Sequence, residues 1–239
     1  MKVGYGVYPL QEMELKFGRH TLRIEKESEV FRYIRESDDG RVEKVLASRE
    51  GKIAVNPVEP VNLPKNVTNY LEINFRNTLL IEPGHRKTFF TTFPVEIGVF
   101  TTGKGDIELI DVFSNVSLKY SLYGDPRNGV VCRYWESELF TNLPERNPLE
   151  EGVMRISIRN NFGEWVEVSR AVFNVYLMKI YYSDEMVFSN AEMEILSKAS
   201  AETKFLMDTM RDGMRKSVEV FTPRKVPVVT KRFFMEWGV

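Results

Sequence analysis

Met154-Arg155-Ile156-Ser157-Ile158-Arg159 alternates apolar and polar side chains without a break. Successive side chains of an extended chain point to opposite faces, so Met154, Ile156 and Ile158 form an apolar face and Arg155, Ser157 and Arg159 a polar one. The stretch reads as a half-buried β-strand. Asn160-Asn161-Phe162-Gly163 turns the chain, and Val166-Glu167-Val168 and residues 171–182 resume the pattern.

The same rhythm extends outward. Tyr70-Leu71-Glu72-Ile73-Asn74-Phe75 alternates, and residues 79–81, 88–92, 95–100, 107–113, 116–123 and 130–135 follow as strands. Pro83-Gly84, Gly103-Lys104-Gly105-Asp106 and residues 124–129 supply turns between them. Strands at roughly 8–12-residue spacing with no helical pattern between them predict an antiparallel sandwich or barrel. Residues 1 to about 55 read as a β-meander in which Asp38-Asp39-Gly40 is a hairpin signal. Residues 56–64, with Pro57, Pro60 and Pro64, read as an extended linker or sheet crossover, and 142–152 as a second break. Residues 191–215 hold both helix formers and strand-like alternation, and the β character of their surroundings tips the reading to strands. Residues 218–221, 226–229 and 233–237 complete the set. The expected fold is all-β: an antiparallel β-sandwich architecture of two immunoglobulin-like units, with at most one or two short helices. Residues 1–142 would hold the meander and first sandwich, and 143–239 the second.

Composition narrows the function classes. Apolar residues are 43% and charged residues 28%, which fits a globular protein with a sizeable core. A net charge of −1 from 33 basic and 34 acidic residues excludes a wholesale polyelectrolyte partner. Balanced, abundant charge with scarce Cys suggests a thermophilic source. No run reaches the ~18 apolar residues of a transmembrane helix, and no secretion signal is visible, so the cytoplasm is the expected location. Cys132, in Val130-Val131-Cys132-Arg133-Tyr134-Trp135, reads as a small buried hydrophobe. Two histidines and one cysteine make a poor ligand set, so neither a metal site nor a cofactor is expected. His85 reads as a surface residue.

Glu96 and Asp111 stand out among the acids. Period two places Glu96 with Pro94, Gly98 and Phe100, and Asp111 with Ile107, Leu109 and Phe113. Both carboxylates are thus expected to be partly buried, and each then needs a partner. Lys119, Arg127 and Arg133 are the nearest by strand order. Structural ion pairs are the expected role, and a polar pocket or an acid–base pair for hydrolysis is the alternative. A basic stretch holds Arg211, Arg215, Lys216, Arg224, Lys225, Lys231 and Arg232 against Asp212 and Glu219. Phe221, Phe233, Phe234 and Trp237 interleave with it, which would suit nucleic acid or an anionic surface, although strand aromatics more often pack in a core. Glu136, Glu138, Glu145, Glu150 and Glu151 against Arg146 form an acidic counterpart.

The run Phe93-Pro94-Val95-Glu96-Ile97-Gly98-Val99, with Asp111-Val112-Phe113, Lys119-Tyr120, Leu122-Tyr123-Gly124, Gly129 and Arg133-Tyr134, resembles an uncharacterised archaeal family of about this length. The closing Met235-Glu236-Trp237-Gly238 is similar too. The likeness covers nearly the whole chain and implies an archaeal source; it carries no activity. The leading expectation is therefore a non-catalytic binding or scaffolding module with a protein partner or self-association. A hydrolase or carbohydrate-active protein using Glu96 and Asp111 is one alternative, and a nucleic-acid binder through the basic stretch is another.

Overall fold

The computed structural model describes residues 4–48, 50–102, 107–220 and 232–239. The described chain has no α-helix. Strand β1 (Gly6–Pro9) precedes the meander β2 (Met13–Phe17), β3 (His20–Glu27), β4 (Val30–Ser37) and β5 (Gly40–Leu46). Next come β6 (Lys52–Val58), β7 (Tyr70–Ile81), β8 (Arg86–Pro94), β9 (Glu96–Thr102), β10 (Ile107–Phe113), β11 (Tyr120–Tyr123) and β12 (Val130–Ser137). The last third holds β13 (Glu151–Asn160), β14 (Val166–Asn174), a 3-10 turn at Val175–Leu177, and β15 (Tyr181–Tyr182). It ends with β16 (Val187–Ile195), β17 (Ala201–Leu206), β18 (Arg215–Lys216) and β19 (Phe233–Met235).

These strands form four antiparallel or mixed sheets, one of them a half-barrel. The meander β2-β3-β4-β5 is one sheet, and β1-β6-β9-β10 the second. The third is β11-β12-β7-β14, and the fourth runs β18-β15-β16-β13-β8 with β17 added at β16 and β19 at β17. Two pairings are parallel, β12 with β7 and β13 with β16. No immunoglobulin-like unit is shown by this arrangement. A parallel pair needs a long crossover, and here other strands supply it. Strands on either side of the expected boundary at 142/143 share sheets, since β8 pairs β13 and β7 pairs β14. One continuous apolar core draws on every sheet, through Phe17 and Tyr33, Val55 and Ile97, Ile73 and Phe173, and Ile156 and Met193.

Two sequence expectations change. Pro57 belongs to β6 and is buried; residues 56–58 are strand, not linker. Strand β1 begins at Gly6 opposite Val55, so among the described residues β6 is an edge on that side from Asn56 onward, where a residue without an N–H is tolerated. Residues 217–220 lie outside any strand; they pack on the outer face of β6 and β9, where Val218 and Val220 cover Ala54, Val58 and Phe100. Residues 221 and 226–229 lie outside the described residues. The ambiguous 191–215 stretch holds β17, most of β16 beyond Ala191, and the start of β18.

Candidate functional site

Strands β11 and β12 are joined by 124–129, a turn set by its own residues. Gly124 sits at φ +112°, a region closed to most side chains, and the Asp125 carboxylate accepts the N–H groups of Arg127 (2.7 Å) and Asn128 (3.1 Å). Those hydrogen bonds hold the Asp125 carboxyl below its ordinary pKa. The turn fixes the register, with Tyr120 opposite Arg133 and Leu122 opposite Val131. Strand β11 ends its sheet, and among the described residues it pairs with β12 alone. Among the described residues its outer edge of backbone groups is open.

Alternation along this edge is apolar on one face. Leu118, Tyr120, Leu122 and the facing Val131 are each 37–47% exposed, which makes them a patch and not a core. Val67, 47% exposed, comes alongside because the Thr68 hydroxyl donates to the carbonyl of Val131.

Beneath the patch lie two buried ionisable side chains. Arg133 is wholly buried, and its terminal nitrogens donate to the carbonyls of Lys119 and Ser117, both at 3.2 Å. The Tyr120 ring covers its guanidinium at 5.8 Å, and the Tyr120 hydroxyl donates to the carbonyl of Leu63. Glu96 is equally buried and accepts the Asn62 N–H at 2.8 Å. Its other carboxyl oxygen and Arg133 Nε have no hydrogen-bond partner among the described residues. Burial pushes the Glu96 carboxyl up to about 7, against the opposing pull of Asn62 and of the Arg133 charge. Burial also lowers the Arg133 pKa.

Glu59 is a second buried carboxyl, and sequence reasoning missed it. Burial raises it to about 7 as well, while it accepts the Val220 N–H at 3.3 Å. The Asn62 side chain donates to the Glu59 carbonyl, so Glu59 and Glu96 brace the same loop. The available signal was a carboxylate at the end of the apolar run Ile53-Ala54-Val55-Asn56-Pro57-Val58, flanked by Pro60.

A groove of about 660 Å³ opens beside the β11 edge, lined by Lys119, Tyr134, Trp135 and the acid-rich 136–151 stretch. Its acids are already held. Arg76 meets Glu136 (2.7 Å) and Glu138 (3.7 Å), and Arg146 meets Glu151 (3.4 Å) while lying over the Phe140 ring. The Lys119 ammonium makes no ion pair among the described residues.

Of the four polar candidates, Glu96 and Arg133 lie near one another beneath Tyr120, whereas Lys119 meets Arg133 only through its backbone carbonyl and lines the groove with its side chain. Asp111 does not join them. A bulge between Leu109 and Asp111 shifts the register, so Asp111 faces the side of Val99 and Phe113 while Glu96 shares the other side with Gly98 and Phe100. The same bulge separates Asp111 from Leu109, which packs by Phe100. Asp111 is held by Arg35 Nε at 2.6 Å and the Tyr33 hydroxyl at 2.8 Å. Its partner comes from the meander sheet, which strand order does not reveal.

The described part of the basic stretch is largely paired. Arg215 meets Asp184 (3.2 Å) and lies over Tyr182, Lys216 meets Glu219 (2.7 Å), and Arg232 meets Glu202 (2.5 Å). Arg211 is exposed. Arg224, Lys225 and Lys231 lie outside the described residues. Phe233 packs against Tyr70 and Tyr123, whereas Phe234 and Trp237 are exposed. Cys132 is buried, which pushes its thiol up to about 12. His85 is exposed beside Glu82. No group of three metal-binding side chains occurs among the described residues.

A family described as "Protein of unknown function (DUF432)" matches residues 4–236. No curated protein and no solved structure matches.

Proposed function

The chain belongs to the DUF432 family, and from the geometry above we propose that it is a non-catalytic, cytoplasmic binding or scaffolding module acting through protein–protein contacts at the open edge of β11. One observation carries this reading. A strand that is terminal in its sheet and unpaired on its outer edge among the described residues also carries an exposed apolar face, Leu118-Tyr120-Leu122 with Val131. Unpaired edges take up added strands, and an apolar patch rimmed by polar residues is a typical contact surface. The patch is also rigid, since Tyr120 is held by Arg133 below and Leu63 alongside. A rigid face loses little conformational entropy on binding.

The other readings draw less support. Glu96 and Asp111 lie on opposite faces of their sheet, and most of the described basic side chains already have acidic partners.

Site-specific photo-crosslinking in lysate of the source organism tests the reading. A photoreactive residue at Leu122 should give protein adducts, while one at Leu80, exposed on a different strand, should not. Equal or absent adducts at the two positions would overturn it.

A further inference from the structure

We propose that the occupant of the β11 edge is a second copy of this chain, its β11 running antiparallel to the first across a two-fold axis perpendicular to the sheet. The inference rests on the protein-contact reading above and names the partner.

The stripe is complementary to itself. In an antiparallel pair, facing residues project to the same side of the sheet. A two-fold axis through Tyr120 sets Tyr120 against the partner's Tyr120 and Leu118 against the partner's Leu122. The two apolar faces become one. Charge agrees with this register. Lys119, the one charged side chain from Leu118 to Tyr123, faces the partner's Ser121 and not a second lysine, so no like charges oppose. A partner with a strongly basic strand would set like charge against Lys119.

Among the described residues the edge is lightly guarded, with Lys119 as its one charge. Natural edges are blunted by charge, proline or bulges. Strand β5, the end of the meander sheet, shows this protection: Arg41, Glu43 and Lys44 run along it, and Lys44 Nζ bonds across to the carbonyl of Ile110. Residues 118–123 carry neither proline nor an acid.

Size sets the strength. A stable interface buries about 800 Å² per partner, whereas β11 offers a ladder of only four residues. The dimer is therefore reversible, with its mass rising through the micromolar concentration range.

Sedimentation velocity of the full chain over a concentration series is the test. Wild type should shift from monomer to dimer, and Leu122→Lys should stay monomeric with an unchanged thermal melt, because Leu122 is exposed and supports no core. As a register test, oxidation of a mixture of Leu118→Cys and Leu122→Cys proteins should give a disulfide-linked heterodimer, with the buried Cys132 taking no part. A wild-type monomer up to about 100 µM, or a dimer that survives Leu122→Lys, would overturn the inference. If wild type is monomeric yet Leu122 still gives adducts to another protein, the second copy fails and the protein-contact reading stands. If neither dimer nor adduct forms, both fail.

Discussion

Glu96 and Glu59 are ionisable groups with carboxyls raised to about 7 by burial, against an ordinary value of 4.5. Between those pH values the unfolded chain loses these protons while the folded chain keeps them. Stability is therefore greatest below about pH 4.5, declines as pH rises to about 7, and is flat above for these two groups. His20, whose buried ring has a lowered pKa, bends the profile the opposite way at acid pH. A comparison of variants removes that effect. Chemical denaturation should show that Glu96→Gln lacks on the order of 3 kcal/mol of the wild-type loss across this range. An identical pH slope in wild type and Glu96→Gln would contradict the placement. Asp111 gives the second residue-scale expectation. It and Arg35 are nearly buried, so Asp111→Ala leaves a guanidinium without its counter-charge and should cost about 3 kcal/mol in urea unfolding. A loss below about 1 kcal/mol would place the pair among surface bridges.

At the scale of the element, alternation identified strands well and faces less well. Met154, Ile156 and Ile158 are buried and Arg159 exposed as read, although Ser157 on the polar face is buried too. Strand β10 does not, because a single bulge after Leu109 moves Asp111 to the other face. A bulge leaves no mark in a run as short as Ile107 to Phe113, where either parity places apolar residues on both sides. Pro57 misled in another way: proline argues against a strand only where both edges are paired. Strand β13 supplies a prediction. Gly152 faces Phe93 across the β8–β13 ladder, and a methyl group there would come within 2.2 Å of the Phe93 ring. Phe93 is wholly buried and cannot swing away. Gly152→Ala should destabilise by about 2 kcal/mol, read from the shift in denaturation midpoint. A neutral substitution would mean that β8 and β13 are spaced more widely.

The whole molecule is tied together across its middle. Strands β7 and β8 precede residue 142, and their partners β14 and β13 follow it. A fragment of residues 1–142 would expose both those edges and the core face that Ile156, Val168 and Phe173 cover. It should show no cooperative thermal transition by circular dichroism, whereas the full chain should. A sharp melt in the fragment would instead support the two-unit division read from sequence.

Period two is a local property, a consequence of how each peptide unit orients its side chain. For that reason the strands, the turn at 124–129, the buried Cys132 and the burial of Glu96 were legible along the chain. Strand partnership is not local. Arg35 finds Asp111 across 76 residues, Glu59 meets Val220 across 161, and the parallel pairs form only after long crossovers close. Such contacts gain their free energy only once the loops between them are ordered, and no short window of residues encodes that balance. The tertiary structure alone decided that Glu96 would sit under the β11 edge beside Arg133, with Asp111 turned away.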